Sequence, residues 1–322
     1  MTKILIIRFS SIGDIVLTTP VIRCIKEQIP DVELHYATKM GFKTILENNP
    51  YIDKLHLLEG DLMPFVNELK LEKYDFIIDL HNNLRTRIIK TLLSVKSNSF
   101  NKLNIQKFIF TNFKKNYLPD IHIVERYLET AKSLGVKNDG KGLDYFIPQK
   151  DEVDISVLGI NSNYIGFVIG AKFATKRMPF EKLIEVCKKL EGQIVFMGGP
   201  EDKEMGEKLL KELNDKRFIN SCGSFNLNQS ASLVKQAHKI LTHDTGLMHI
   251  AAAFQKEIVS IWGNTVPEFG MYPYLSKEKF KIIEVKSLKC RPCSKIGYAK
   301  CPKGHFKCMN LIESKEIINA LK

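Results

Sequence analysis

Polar residues separate an apolar run from a helical pattern in the stretch 242–249, which has the sequence THDTGLMH. The apolar run before it predicts a short buried strand, and the apolar residues after it recur at helical spacing. Asp244, Thr245 and Gly246 are therefore predicted to lie where a strand ends and a helix begins. Such a junction presents backbone N–H groups and the positive end of a helix dipole, which favour a phosphate or diphosphate. The alternative interpretation is that Asp244 or Thr245 only caps the helix.

Signatures of several other chemistries are missing from the sequence. No G-x-G-x-x-G follows the apolar run at 4–7 and no G-x-x-x-x-G-K-[ST] occurs, which argues against a dinucleotide site and a P-loop nucleotidase. A serine elbow and an H-E-x-x-H pair are also missing. No Asp-x-Asp pair suits a divalent cation beneath a nucleotide diphosphate. Protein donors would therefore neutralise a bound diphosphate, and no cofactor is expected to be required.

The elements that position the 242–249 junction alternate between strands and helices, as in parallel sheets covered on both faces. The first series has predicted strands at 4–7, 33–37 and Phe76–Asp79. The second has them at 165–169, Gln193–Met197, Phe218–Asn220, 239–242, Glu257–Trp262 and 280–285. The sequence thus predicts an α/β protein with two doubly wound domains, 1–155 and 156–322. A ligand cleft is expected between them, at the carboxyl ends of the strands.

Composition limits the class of protein and its surroundings. The chain has 322 residues, 44% of them apolar, and a formal net charge of +12. No apolar run has the length of a membrane span and the start does not resemble a secretory signal, so a cytoplasmic protein is expected. The excess positive charge predicts a polyanionic partner.

Much of the positive charge lies at 85–117, where Lys and Arg occur without Asp or Glu and are interleaved with apolar residues. One interpretation is a solvated basic face over ordinary core positions. The other is a surface that rests on anionic lipid headgroups or holds a phosphorylated acceptor. No nucleic-acid-binding motif accompanies this segment, so no nucleic-acid partner is expected.

Four blocks of the sequence resemble glycosyltransferase family 9, the lipopolysaccharide heptosyltransferases. The blocks are SSIGDIVLTTP at 10–20, GAKFATKRMP at 170–179, DTGLMH at 244–249 and WGNTVPE at 262–268. The resemblance implies a GT-B fold, with two Rossmann-like domains, whose last helix returns in related folds to the first domain. It also implies an inverting glycosyltransferase that moves a heptose from ADP-heptose to a lipopolysaccharide inner-core acceptor. The alternatives are a family-9 transferase that uses another nucleotide sugar and a non-catalytic nucleotide-sugar-binding protein.

The resemblance also assigns roles to single residues. Asp14 matches the family's catalytic base, although a carboxylate after Gly13 is also typical of a helix N-cap. Lys176 matches the lysine that meets the donor phosphates. The remaining donor-binding residues are Asp244 for the sugar hydroxyls, Thr245, Gly246 and Leu247 for the diphosphate, His249 for a phosphate or for packing, Phe225 for adenine and Glu201 for ribose. The lipopolysaccharide acceptor would be met at the cytoplasmic face of the inner membrane.

The cysteines fall into two groups. Cys24, Cys187 and Cys222 lie in apolar contexts and are predicted to be buried thiols. The other four are spaced Cys290-x2-Cys293-x7-Cys301-x6-Cys308, with a histidine inside the cluster. One C-x-x-C followed by two single cysteines is typical of some structural zinc sites, and reduced free thiols are the alternative. No catalytic metal is expected.

Overall fold

The computed structural model describes residues 2–322, which divide into two compact units by their internal contacts. The first unit contains residues 2–102 and Ile121–Phe146, and the second contains Leu103–Asp120 and Ile147–Lys322. The strands are β1 (Thr2–Ile7), β2 (Val32–Lys39), β3 (Lys54–Leu58), β4 (Phe76–Asp79), β5 (Ser97–Ser99), β6 (Tyr164–Val168), β7 (Gln193–Met197), β8 (Phe218–Asn220), β9 (Lys239–His243), β10 (Glu257–Trp262) and β11 (Phe280–Glu284). The helices are α1 (Ile12–Val16), α2 (Thr19–Gln28), α3 (Leu62–Leu71), α4 (Leu84–Leu93), α5 (Asn104–Phe113), α6 (Ile123–Leu128), α7 (Phe180–Cys187), α8 (Lys203–Leu213), α9 (Leu227–Gln236), α10 (Gly246–Ala253), α11 (Lys307–Asn310) and α12 (Ser314–Leu321).

The first unit is built on a parallel sheet with the strand order β3-β2-β1-β4-β5. Its central strand β1 has no exposed side chain from Ile4 to Ile7, as expected for a strand covered on both faces. The edge strands β3 and β5 were not predicted. Their short sequences, KLHLL and SNS, carry little apolar periodicity, so main-chain pairing with β2 and β4 defines them.

Two separate helices follow β1, and Pro20 lies at the start of the second one. The short helix α1 ends at Val16, and α2 begins at Thr19 with Pro20 in its first turn. Proline is tolerated there because the first N–H groups of a helix have no intrahelical partner. Pro20 therefore starts a new helix, and Asp14 lies in the separate helix α1.

The second unit is built on a parallel sheet with the strand order β11-β10-β9-β6-β7-β8. All six strands predicted for this half are present, within one or two residues of their predicted ends. One apolar core contains side chains from β6, β7, α7 and the final helix α12. These two doubly wound parallel sheets confirm the predicted α/β fold class.

The limits of the two units differ from the predicted border at residue 155. Contacts divide the chain after Phe146, and they assign Leu103–Asp120 to the second unit. Within that unit, α12 contacts α7, β10 and β11. A 3₁₀ helix spans Met40–Ile45, and α6 is followed by a second 3₁₀ helix over Glu129–Leu134. Within residues 2–322, no helix has both the length and the apolarity needed to cross a membrane.

Candidate functional site

The predicted strand-to-helix junction is present in the second unit. β9 ends at His243, and α10 begins at Gly246 after Thr245, whose backbone is extended. The side chain of Thr245 makes no capping hydrogen bond in the described structure. Its hydroxyl lies 3.5 Å from the Thr242 hydroxyl instead. The backbone N–H groups of the first turn of α10 therefore lack a side-chain cap from Thr245, which leaves them suited to an anion.

Asp244 does not cap the helix through its carboxylate, because that group is bound by two other loops. Its Oδ2 atom accepts a hydrogen bond from Lys176 Nζ at 2.5 Å and from Thr265 Oγ1 at 2.9 Å. The side chains of Lys176 and Asp244 are only 16% and 11% exposed. The fold thus brings together residues from three of the blocks that carry the family resemblance.

The loop that carries Lys176 follows β6 and is fixed by a buried carboxylate. A Cβ atom on Gly170 would lie 1.8 Å from Asp202 Oδ2, so only glycine fits at that position. Asp202 accepts a hydrogen bond from Gly199 N at 3.0 Å, and Arg177 Nη1 lies 3.4 Å from its other oxygen. Burial raises the pKa of the Asp202 carboxyl, an effect that Arg177 opposes.

The other predicted donor residues lie after neighbouring strands of the same sheet. Glu201 is exposed in the turn after β7, and Phe225 is half-buried in the loop after β8. Since carboxyl ends of parallel strands share one edge of a sheet, these loops and the Lys176–Asp244 pair lie along one edge. His249, by contrast, is only 2% exposed, within α10.

Two residues that the sequence did not single out hold this edge in place. Arg291 is buried and donates to the backbone carbonyls of Gly263 at 2.5 Å and Thr265 at 2.9 Å. Its charge is paired with Glu284 at 2.8 Å. The loop that presents the Thr265 hydroxyl to Asp244 therefore depends on Arg291. Thr265 lies in the block at 262–268 that resembles family 9, so the sequence offered a signal for it. Arg291 lies between two cysteines, and no motif or spacing in the sequence indicates its role.

His243 is a further residue that the sequence did not assign. Its ring is completely buried, and Nε2 accepts a hydrogen bond from the backbone N–H of Met178 at 3.1 Å. Burial lowers the pKa of His243 to about 4, with a smaller contribution from the positive charge of Arg177. The neutral ring joins the end of β9 to the loop that contains Lys176.

The predicted base, Asp14, lies in α1 of the first unit. Its Oδ2 atom accepts from Ser11 Oγ at 2.7 Å and from Ser11 N at 3.2 Å, and its Oδ1 atom lies 2.7 Å from Arg8 Nη2. The side chain of Asp14 stays 20% exposed. Asp14 is therefore not the N-cap of α1, which is Ser11, but the third residue of the helix, where its carboxylate binds back to Ser11 and is also paired with a guanidinium.

Arg8 is buried and its guanidinium is fixed by the surrounding structure. Nε donates to Ser10 O at 2.7 Å, while Nη1 donates to Leu80 O at 2.6 Å and to the Tyr127 hydroxyl at 3.0 Å. Although burial lowers the pKa of Arg8, the negative charge of Asp14 contributes to a net increase. Arg8 is thus a rigid cation that orients the Asp14 carboxylate.

His81 lies near this pair and was not predicted from the sequence. It follows β4, the strand beside β1, and its ring packs edge-on against Phe9 with ring centres 5.7 Å apart. Burial lowers the pKa of His81 to about 4, and the charges of Arg8 and Lys102 act in the same direction. A neutral imidazole therefore lies at the carboxyl edge of the first sheet, with Asp14.

The described residues offer one compact set of metal-ligating atoms. His35, His56 and Glu72 place one ligand atom each within 4.8 Å of one another. However, Glu72 is already bound by Lys3 at 3.1 Å and by Lys54 at 2.5 Å. Because these lysines supply positive charge, the cluster is best described as a buried hydrogen-bonded network.

The four C-terminal cysteines do not form such a set among residues 2–322. Cys293 Sγ donates to the backbone carbonyl of Cys290 at 3.1 Å, and Cys290 Sγ lies 3.9 Å from His305 Nε2. Burial raises the pKa of Cys293 to about 11 and that of Cys308 to about 12. All seven cysteines are free thiols, and Cys24, Cys187 and Cys222 are buried as predicted. A structural zinc at the cluster stays a prediction.

Comparison with known proteins decides the family. The family described as Glycosyltransferase family 9 (heptosyltransferase) matches residues 63–301, which is more than half of the chain. The chain belongs to glycosyltransferase family 9. It is therefore an enzyme of the glycosyltransferase class, as the four sequence blocks predicted.

The similarity of this family-9 glycosyltransferase to individual relatives extends over nearly its whole length. It is 26% identical to lipopolysaccharide heptosyltransferase 2 of Salmonella typhimurium, an alignment that covers 94% of this chain and 91% of the relative. A family-9 glycosyltransferase from Veillonella parvula superimposes with a TM-score of 0.79 at 24% identity, covering 99% and 96% of the two chains. E. coli ADP-heptose lps heptosyltransferase II gives a TM-score of 0.74 at 21% identity, covering 99% and 97%. The structural matches confirm the GT-B fold.

Replacing His243 tests its buried, neutral state. Because its pKa is about 4 in the folded protein and about 6.5 when unfolded, the unfolded state binds more protons between these values, and stability falls as pH falls. The full difference corresponds to about 3 kcal/mol and is reached only below the folded pKa, and about 2 kcal/mol of it is lost between pH 7 and pH 5. His243→Gln retains an acceptor for Met178 N–H and should lose less unfolding free energy between pH 7 and pH 5 than wild type.

Urea unfolding at the two pH values measures this difference. His238→Gln is the matched control for replacing a histidine by glutamine, because His238 lies at an exposed position of the same unit. Equal losses of stability in wild type and His243→Gln would contradict the assigned state of His243.

Proposed function

We propose that this glycosyltransferase moves a heptose from ADP-heptose to an acceptor in the lipopolysaccharide inner core, with inversion at the anomeric carbon. The similarity to a lipopolysaccharide heptosyltransferase and to an ADP-heptose lps heptosyltransferase supports the sugar, the nucleotide and a lipopolysaccharide acceptor. The observation that carries the donor assignment is the Lys176–Asp244–Thr265 cluster beside the start of α10. It holds an ammonium beside a helix N-terminus, and both are donors that favour a diphosphate.

In this proposal the donor diphosphate lies against the first turn of α10. The N–H groups of Gly246 and Leu247 and the hydroxyl of Thr245 donate to its oxygens. An ammonium has three N–H donors, and the two contacts of Lys176 Nζ with Asp244 leave one for a phosphate oxygen. As ADP departs, negative charge grows on the diphosphate, so Lys176 binds the transition state more strongly than the ground state.

The remaining donor contacts follow the order of loops along the sheet edge. Asp244 accepts hydrogen bonds from the sugar hydroxyls, Phe225 packs on adenine and Glu201 binds ribose hydroxyls. Phe225 is half-buried and Glu201 is exposed, so both present surface to a ligand. His249 supports α10 from within the second unit, since it is 2% exposed.

Asp14 is proposed as the base that removes the acceptor proton. The acceptor oxygen attacks the anomeric carbon from the face opposite the diphosphate while its proton passes to Asp14. The bond between that carbon and the diphosphate oxygen breaks, and its electron pair leaves with ADP. The pairing with Arg8 and Ser11 orients the carboxylate, and the exposed part of Asp14 receives the proton.

The acceptor is a membrane lipid, so we propose that the enzyme acts in the cytoplasm at the inner-membrane surface. The segment 85–117 has no acidic residue, which supports attraction to anionic lipid headgroups or to a phosphorylated acceptor. A nucleotide-sugar panel tested by thermal shift separates ADP-heptose from other donors. Release of ADP that depends on the acceptor separates an enzyme from a binding protein.

Removal of the Lys176 ammonium tests the donor site. Lys176→Met should weaken ADP binding by about tenfold to a hundredfold, since a hydrogen bond to a charged group contributes about 1.5–3 kcal/mol. Transfer should slow as well. Lys172→Met is the matched control in the same loop, because Lys172 is exposed and should bind ADP normally. Calorimetric titrations of ADP that give the same Kd for wild type and Lys176→Met would refute the role.

Substitution of Asp14 tests the base. Asp14→Asn should lower kcat by about 10²–10⁴-fold, because no general base remains to accept the proton of the acceptor hydroxyl. ADP binding by the second unit should be retained. Glu59→Gln is a control for removal of an exposed carboxylate from the first unit. The outcome against the proposal is a kcat within a few-fold of wild type at saturating acceptor.

A further inference from the structure

The helix α5 carries an apolar stripe on the side that is turned to solvent. Ile105, Phe108, Ile109 and Phe113 occupy positions i, i+3, i+4 and i+8, the spacing of one helix face. Such a stripe normally packs against a core. Here Ile105 is 74% exposed, Phe108 is 56% exposed and Phe113 is 65% exposed, and α5 has no buried residue.

The opposite side of α5 attaches the helix to the second unit. Phe110 packs edge-on against Phe269 with ring centres 6.0 Å apart, and the Lys107 ammonium lies 5.8 Å from the centre of the same ring. Beyond the helix, Lys114 Nζ donates to the backbone carbonyl of Pro292 at 2.8 Å. With residues 107, 110 and 114 fixing the inner side, the apolar stripe is held outward.

The segment that carries the stripe has only positive formal charges, although Lys107 and Lys114 contact the second unit on the inner side. Residues 101–119 contain four lysines and no Asp or Glu. Lys114 and Lys115 are exposed at the carboxyl end of α5, next to the exposed ring of Tyr117. An apolar face bordered by lysines and an aromatic ring is complementary to an anionic bilayer, whose headgroups attract the ammonium groups while the acyl chains accept the apolar side chains.

The length of α5 defines the mode of contact. Its ten residues extend about 15 Å, half of the hydrocarbon thickness. The helix therefore fits parallel to the membrane plane, at the boundary between headgroups and acyl chains. Fixed attachment to the second unit means that the helix is already ordered before it meets the membrane.

We infer that the outer face of α5, formed by Ile105, Phe108 and Phe113 with Lys115 and Tyr117 at its end, docks the enzyme on an anionic lipid bilayer. This inference rests on the proposed function in one respect, because an acceptor anchored in the membrane gives docking its purpose. The inference adds the docking surface and its partner, which is acidic phospholipid. Binding to this partner requires neither the nucleotide nor the acceptor. Docking raises the encounter rate with a lipid-linked acceptor and leaves transfer to a soluble acceptor unchanged.

The test is co-sedimentation of the full chain with vesicles in the absence of nucleotide. Wild type should bind vesicles of phosphatidylcholine with about 30 mol% phosphatidylglycerol, and binding should fall with salt between about 50 mM and about 500 mM. The double variant Phe108→Ser with Phe113→Ser should partition at least about tenfold less. Its control, Leu71→Ser with Val157→Ser, removes two apolar side chains elsewhere that are more exposed than Phe108 and Phe113, and this variant should bind as wild type does.

The charge contribution is tested separately. Lys115→Glu should weaken binding to the acidic vesicles, whereas Lys315→Glu, at an exposed position of α12, should change it little. Absence of wild-type binding at low salt, or equal binding by the Phe108/Phe113 variant, would overturn the inference. A change of oligomeric state in that variant, with vesicle binding intact, would instead identify a self-association surface and also overturn it.

Failure of the docking surface is distinguishable from failure of the proposed function. The Phe108/Phe113 variant should retain wild-type kcat with a delipidated, water-soluble acceptor and lose rate only with the acceptor in vesicles. An enzyme that uses another nucleotide sugar would still bind acidic vesicles through α5.

Discussion

The ion pair between Lys176 and Asp244 is the interaction on which the candidate donor site depends. Its two side chains come from loops after β6 and β9, and Thr265 joins them from the loop after β10. Because both charges are largely buried, each needs the other: an unpaired buried charge is costly. The pair fixes the lysine beside the start of α10, where the helix dipole already favours an anion.

The surrounding sequence is constrained so that these loops approach one another. A Cβ on Gly170 would overlap Asp202, and a Cβ on Gly263 would lie 2.7 Å from the carbonyl of Thr175. Arg291 then binds the carbonyls that the Gly263 loop exposes. The glycines and the buried arginine bind no ligand in this account, and their role is to position the residues that do.

The sequence predicted the features that repeat and missed those that depend on distant contacts. Apolar runs located every strand of the second sheet, and the polar junction at 244–246 was placed correctly between β9 and α10. The edge strand β5 lacks an apolar pattern, so only pairing with β4 defines it. His81, His243 and Arg291 gain their importance from burial and from partners far along the chain, which no local spacing reveals. Likewise, the apolar residues at 85–117 were compatible with core positions or with a lipid-facing surface, and only the folded chain shows that those of α5 are exposed.

A crystal structure with bound ADP tests the central claim most directly. The account predicts diphosphate oxygens within about 3.2 Å of Lys176 Nζ and of the backbone N–H of Gly246 or Leu247. An ordered ADP whose diphosphate contacts neither Lys176 nor the first turn of α10 would contradict it.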